Sequence, residues 1–168
     1  MSGIWTKESK EFANSQENRT DTYMSFLTGS TGWFSSFTGN ARNSEIDYNY
    51  IDKNGYTGVI ECKIRKCSFD RFDEMFIELN KFNALTGATL SYSKSTYINF
   101  LNDSNDEFLI FDIRKIMNNP LNIQRNVYIK NLNLPTENNY TADRYLLPKE
   151  WGRHFKLNKL TNEYEEIK

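Results

Sequence analysis

The chain of 168 residues has only three prolines, two cysteines and one histidine. No stretch of it approaches the ~20 consecutive apolar residues that a membrane span needs. Cys62 and Cys67 have no Cys/His ligand spacing around them, so they do not read as a zinc module. The start, Met1-Ser-Gly-Ile-Trp-Thr-Lys-Glu8, does not resemble an export signal, and two thiols in such a chain are expected to be reduced. The expected setting is therefore cytoplasmic, in a bacterial cell or a phage-infected host, with no membrane partner. A net charge of −1 lacks the positive excess of a dedicated nucleic-acid coat. Repeats and linkers are also missing, so one domain over 1–168 is expected, with a core at about 7–130 and a C-terminal extension at about 131–168.

What remains is ordinary globular material: 38% apolar, 15% aromatic and 26% charged residues, which predicts a core rich in Tyr and Phe. Twenty-one Asn against five Ala point to AT-rich codons, as in some bacterial and phage genomes. Basic residues concentrate in the second half, where Arg114, Lys115, Arg125 and Lys130 read as a solvated face before they read as phosphate contacts. His154 has no partner nucleophile or second His and reads as structural.

Charge mixed with apolar spacings of three and four predicts a helix over about Lys7–Leu27, ending at Thr28-Gly-Ser-Thr-Gly32. Residues Gly32–Ser44 read as a loop, either packed on the surface or facing a substrate. Two alternating runs, Glu45–Ile51 and Tyr56–Arg65, predict a hairpin across Asp52-Lys-Asn-Gly55. A second helix is expected over Phe69–Leu85. Strands follow at Thr96–Leu101 and Glu107–Asp112, then a helical turn at Ile113–Met117. Further extended pieces are expected at Ile123–Ile129 and Tyr145–Leu147. The order predicts an α/β (mixed α+β) domain.

The hairpin carries the chemistry. Side chains alternate along a strand, so Glu61 and Lys63 share a face while Ile60, Cys62 and Ile64 take the other, which makes Cys62 a core thiol. A two-residue Asn54-Gly55 turn would put Asp47 beside Cys62 and mix polar with apolar on both faces. A three-residue turn with Gly55 left-handed puts Asp47 opposite Glu61 and Glu45 opposite Lys63, with the apolar residues together; burial favours this register. Two carboxylates that close repel unless a proton or a cation lies between them. A divalent ion with oxygen ligands resolves the conflict, with Lys63 beside it to assist an attacking water or a developing charge. The plain alternative is a hairpin with a solvated charged face and ordinary surface ion pairs.

Helix-borne Glu17-Asn-Arg19, Ile46-Asp47-Tyr48-Asn49 and Val59-Ile-Glu61-Cys-Lys63, followed by an amphipathic helix, resemble the PD-(D/E)XK nuclease superfamily. Within it they are most similar to Holliday-junction resolvases of the archaeal and RecU types. The resemblance covers about Lys10 to Asp112, with Ile46 where the family often has Pro. It implies a restriction-endonuclease-like core, a central mixed β-sheet flanked by helices. It also implies a metal-dependent endonuclease acting on branched or duplex DNA in recombination or repair, as a homodimer. The implied cofactor is Mg²⁺ or Mn²⁺, held by Asp47, Glu61, the Cys62 backbone carbonyl and Glu17, with Lys63 catalytic. Glu11 or Glu8 could replace Glu17, because sequence does not fix the helix phase. Arg42, Ser44, Arg65, Lys66 and Lys81 are candidate nucleic-acid contacts. Lys81 also reads as the lysine that family members carry on the following helix, or more simply as an i,i+3 partner of Glu78. A catalytically inactive binding module on the same scaffold is the rival reading.

Overall fold

A computed structural model describes residues 7–41, 44–129 and 140–168, with Glu8, Glu11 and Glu17 described by backbone alone. The first element is a long helix, α1 (Lys7–Thr31). It runs through Gly29 and stops at Gly32, four residues beyond the expected end. Gly32 has φ +61° and donates its N–H to the Thr28 carbonyl at 3.0 Å, a left-handed close that costs glycine little. Thr28 and Thr31 bond back to the carbonyls of Met24 and Leu27 and so occupy their hydroxyls within the last turns.

Among the described residues, a mixed sheet of seven strands follows. Strands β1 (Phe34–Gly39), β2 (Tyr48–Asp52) and β3 (Thr57–Ile64) form an antiparallel meander. The stretch read as a loop at 32–44 is thus mostly strand: its aromatics Phe34 and Phe37 stack edge-on against Tyr50 and Tyr48 of β2. β3 pairs in parallel with β5 (Lys94–Phe100), and β5 pairs antiparallel with β6 (Glu107–Asp112). β9 (Arg153–Asn158) and β10 (Glu163–Ile167) complete the far edge.

The parallel β3–β5 pair requires a crossover. It contains β4 (Glu74–Glu78) and α2 (Leu79–Ala88). Here the expected helix over 69–85 is corrected: Phe69–Arg71 is a 3-10 turn, and helix begins only at Leu79. Apolar residues at 69, 72, 75, 76 and 79 fit a helical stripe, but Met75 and Ile77 alternate inward with period two. β8 (Tyr140–Pro148) supplies the hydrogen-bonding edge that holds this segment extended. β4, β8 and β7 (Asn122–Ile129) make a second, three-stranded sheet, and α3 (Ile113–Ile116) is a single turn after β6. The described residues after 140 therefore contribute strands to both sheets.

The main sheet is buried on both faces. One carries Met24 and Leu27 of α1 against Ile60, Cys62, Ile98, Phe100, Phe108 and Phe155. The other carries Val59, Tyr97, Leu109 and Phe111 against α2, α3 and the small sheet through Phe82, Leu85, Ile113, Met75, Ile77 and Leu147. The domain is a mixed α+β fold around a central mixed sheet. No helix among the described residues is long and apolar enough to cross a membrane.

Candidate functional site

β3 takes charge into the interior. The hairpin closes with Gly55 at φ +83°, and the Asp52 N–H bonds to the Tyr56 carbonyl, so the turn has three residues and the register sets Tyr48 against Ile60. One step further in that register, Asp47 falls opposite Glu61. Asp47 has left the ladder, and its carboxylate replaces a backbone acceptor: Oδ2 accepts the Cys62 N–H at 2.8 Å. Its backbone is pinned by Asn40 at the end of β1. The Asn40 N–H donates to the Asp47 carbonyl at 2.8 Å, and the Asn40 amide donates to the Ile46 carbonyl at 3.0 Å.

Glu61 is fully buried, which rules out the solvated charged face for this residue. Its Oε2 accepts from the Lys81 ammonium at 3.2 Å, and Lys63 stands 3.6 Å from Oε1. Oε1 itself is buried and has no hydrogen-bond partner. Burial pushes the Glu61 carboxyl up to about 7; Asp47 adds to the rise, while Lys63 and Lys81 oppose it. Burial also works against the Lys63 ammonium, but Glu61 foremost, with Tyr97, Glu78 and Asp47, more than offsets that and leaves its pKa raised. Lys63 thus stands at the site as a cation.

The N–H and C=O of one strand residue leave on the same edge. The Cys62 N–H points at Asp47, so the Cys62 carbonyl opens on that edge too, where β2 has given way to a side chain. Asp47, the Glu61 Oε1 that lacks a hydrogen bond, and this carbonyl are the oxygen donors that the sequence resemblance names for an ion. Among the described residues no third His, Cys, Asp or Glu joins them as a compact cluster. Sparse oxygen sets of this kind suit Mg²⁺, which keeps much of its own water and takes one or two carboxylates. The Cys62 thiol points the other way, 3.6 Å from the Met24 sulfur, where burial pushes its pKa up and leaves it unreactive.

Of the remaining sequence candidates, Lys81 and Ser44 reach the site: the Ser44 carbonyl accepts from Lys81 at 3.4 Å, and its hydroxyl accepts the Ile46 N–H at 3.2 Å. Arg65 lies one residue beyond β3 and directs Nε and Nη2 inward, to Asn99 Oδ1 at 2.9 Å, the Phe76 carbonyl at 2.8 Å and the Tyr97 hydroxyl at 2.7 Å. Lys66 is exposed in the loop after it. Arg42 and Lys130 lie outside the described residues, as do the side chains of Glu8, Glu11 and Glu17. His154 is stacked on Phe69, with ring centroids 3.9 Å apart, and bonded to Glu107 at 2.6 Å, a packed position far along the sheet order from Glu61.

Sequence reasoning passed over Asn99. It pairs laterally with Lys63 as Tyr97 does with Glu61, is fully buried, and has an unpartnered amide nitrogen. The available signal was a lone amide inside the apolar run Tyr97-Ile-Asn-Phe-Leu101. Asn40, which holds the Asp47 segment, gave no signal at all, because it lay in the stretch read as loop.

Compared with family models, curated proteins and solved structures, the chain matches none.

Proposed function

We propose that the protein is a metal-dependent endonuclease of the PD-(D/E)XK kind, hydrolysing DNA phosphodiester bonds. The observation that carries this reading is the Glu61 carboxylate, buried between two lysines, with one oxygen lacking a hydrogen bond and Asp47 held on the next residue's N–H. Buried carboxylates are normally fully bonded, and one left open beside a second carboxylate is a place for a cation. The element order supports it as well: helix, Asp strand, Glu-x-Lys strand, helix, further strand is the order that the sequence resemblance implies.

In this reading Asp47, Glu61 and the Cys62 carbonyl hold Mg²⁺ or Mn²⁺, with Glu17 as the candidate helix acid. When bound, the ion polarises a phosphate oxygen and makes water more acidic. Lys63, part-exposed and cationic, faces the charge that develops on the phosphate and orients the incoming water. Lys81 holds the second oxygen of Glu61 and fixes its rotamer. A branched, two-fold substrate such as a Holliday junction would call for a homodimer.

One observation favours a second reading, an inactive nuclease-fold binding module. Lys63 and Lys81 together already counterbalance Glu61, and Asp47 Oδ2 is occupied by the Cys62 N–H, so the cluster is close to self-neutral without an ion.

Cleavage assays on four-way-junction and linear DNA, with Mg²⁺, Mn²⁺ or chelator, separate the two. The expected result is metal-dependent cleavage that falls by about 10²-fold or more in Glu61→Ala and Lys63→Ala. Cleavage that survives both substitutions would sink the site assignment. DNA binding without cleavage under any metal would favour the inactive module.

A further inference from the structure

Past Lys63 the same face of the chain continues to a second group of cations, which the proposed chemistry does not use. Side chains two apart share a face, so Arg65 follows Lys63 as Lys63 follows Glu61, each step ~7 Å along the strand. Its guanidinium carbon lies 4.1 Å from the centroid of the Phe76 ring. Arg144 of β8 approaches the same ring, with its guanidinium carbon at 4.5 Å. Two guanidiniums thus flank one aromatic ring, an arrangement that holds both planes rigid. Each is anchored on one side: Arg65 through Nε and Nη2 as described, Arg144 through Nε to Gln124 Oε1 at 2.8 Å. Among the described residues, the Nη1 nitrogen of each shows no such anchor.

Beside them is the open amide of Asn99. Its Oδ1 accepts from Arg65 Nε, which fixes which end of the amide is which, and its Nδ2 is left buried and unsatisfied. Burial foremost, and then Arg65, lower the Arg144 pKa, while Glu78 lies opposite Arg144 in the β4–β8 pairing.

We propose that Arg65, Asn99 and Arg144, gathered round Phe76, form a pocket for a backbone phosphate of the DNA strand, next to the one held at Glu61 and Lys63. The spacing along β3 is of the order of the distance between neighbouring phosphates on one strand. Arg supplies forked donors that suit phosphate oxygens, and contacts of this kind position a nucleic acid without reading its sequence. Arg65 and Asn99 are positioning residues in this account, set two and more residues from the reacting bond. The inference rests on the nuclease reading for its ligand, but it makes its own demand on binding.

Fluorescence anisotropy of a labelled DNA duplex in chelator tests it without any cleavage. Arg144→Gln is expected to weaken binding about fivefold or more at low salt and to lower the slope of log affinity against log salt by about one. Arg153→Gln, at an exposed pair with Glu166 on β9, is the control expected to leave both unchanged. Arg144→Lys should recover part of the affinity. A thermal melt confirms that each variant is folded. Wild-type affinity and slope in Arg144→Gln, or no duplex binding by the wild type, would overturn the pocket. If Arg144→Gln loses affinity while no metal supports cleavage, the pocket stands and the nuclease reading fails. If cleavage depends on Glu61 while Arg144→Gln binds normally, the reverse holds.

Discussion

Glu61 is the residue on which the interior of this protein turns. A carboxyl raised to about 7 by burial binds a proton in the folded state over the window from its ordinary value, 4.5, up to about 7, while the unfolded chain does not. The folded state therefore loses stability relative to the unfolded one as pH rises through that window, and no further above it. In chelator, the melting temperature of the wild type should fall between about pH 5 and pH 7.5. Glu61→Gln, which cannot ionise, should lack that fall and melt several degrees higher than the wild type at pH 8. Parallel pH profiles of the two proteins would show that Glu61 is already ionised and satisfied. Adding Mn²⁺ at pH 8 should raise the wild-type melting temperature and leave Glu61→Gln unmoved, since only a carboxylate gains from the cation.

At the scale of elements, the site depends on a meander whose register leaves little slack. Gly58 of β3 lies under the Tyr50 ring: a Cβ there would come within 2.3 Å of the ring carbon Cζ, in a ring buried on β2. Gly58→Ala should cost about 1–3 kcal/mol of stability, read from urea unfolding, because the ring has to leave a packed position. An unchanged midpoint would mean that Tyr50 moves freely, contrary to its burial and its stacking on Phe34. Asn40→Ala is different in kind. It removes the side-chain bond to the Ile46 carbonyl next to Asp47. It should therefore lower cleavage more than it lowers stability; a loss confined to the melting temperature would show that Asp47 needs no such brace.

For the whole molecule, the strands nearest the C-terminus are structural members of the main sheet. Phe108 of β6 stacks on Phe155 of β9 at 5.1 Å and meets Tyr164 of β10 edge-on at 4.9 Å, and Trp33 packs on the same group. Deleting residues 153–168 would uncover the β6 edge together with that aromatic cluster. The shortened chain is expected to elute from size-exclusion chromatography as aggregate or oligomer, because an open apolar edge recruits other chains. A monomer with the wild-type circular dichroism spectrum would show that the two strands are dispensable.

How much of this was legible beforehand follows from which interactions are local. The hairpin register, with Gly55 left-handed, could be read because a one-residue slip inverts every side chain on the strand, so the pattern at Glu45–Ile51 and Tyr56–Arg65 contained the answer. The extended pieces at 96–101 and 107–112 were legible for the same reason. β4 was not, because its apolar spacing satisfies a helix as well as a strand, and only pairing with β8, some seventy residues away, selects one. β1 was missed since its sequence, rich in Ser, Thr and Gly, carries no period of its own and takes its order from β2.

The sequence by itself determined that Glu61 and Lys63 belong to one polar face and that Cys62 belongs to the opposite, apolar one, since alternation and a short turn act within twenty residues. Only the tertiary structure decided that this polar face is covered rather than solvated. α2 and the small sheet close over it, α2 brings Lys81 to the carboxylate, and the water that would otherwise screen it is removed. The alternative of a solvated surface hairpin fails at Glu61, a buried, raised-pKa carboxyl, because desolvation is set by what packs on a strand and not by the strand.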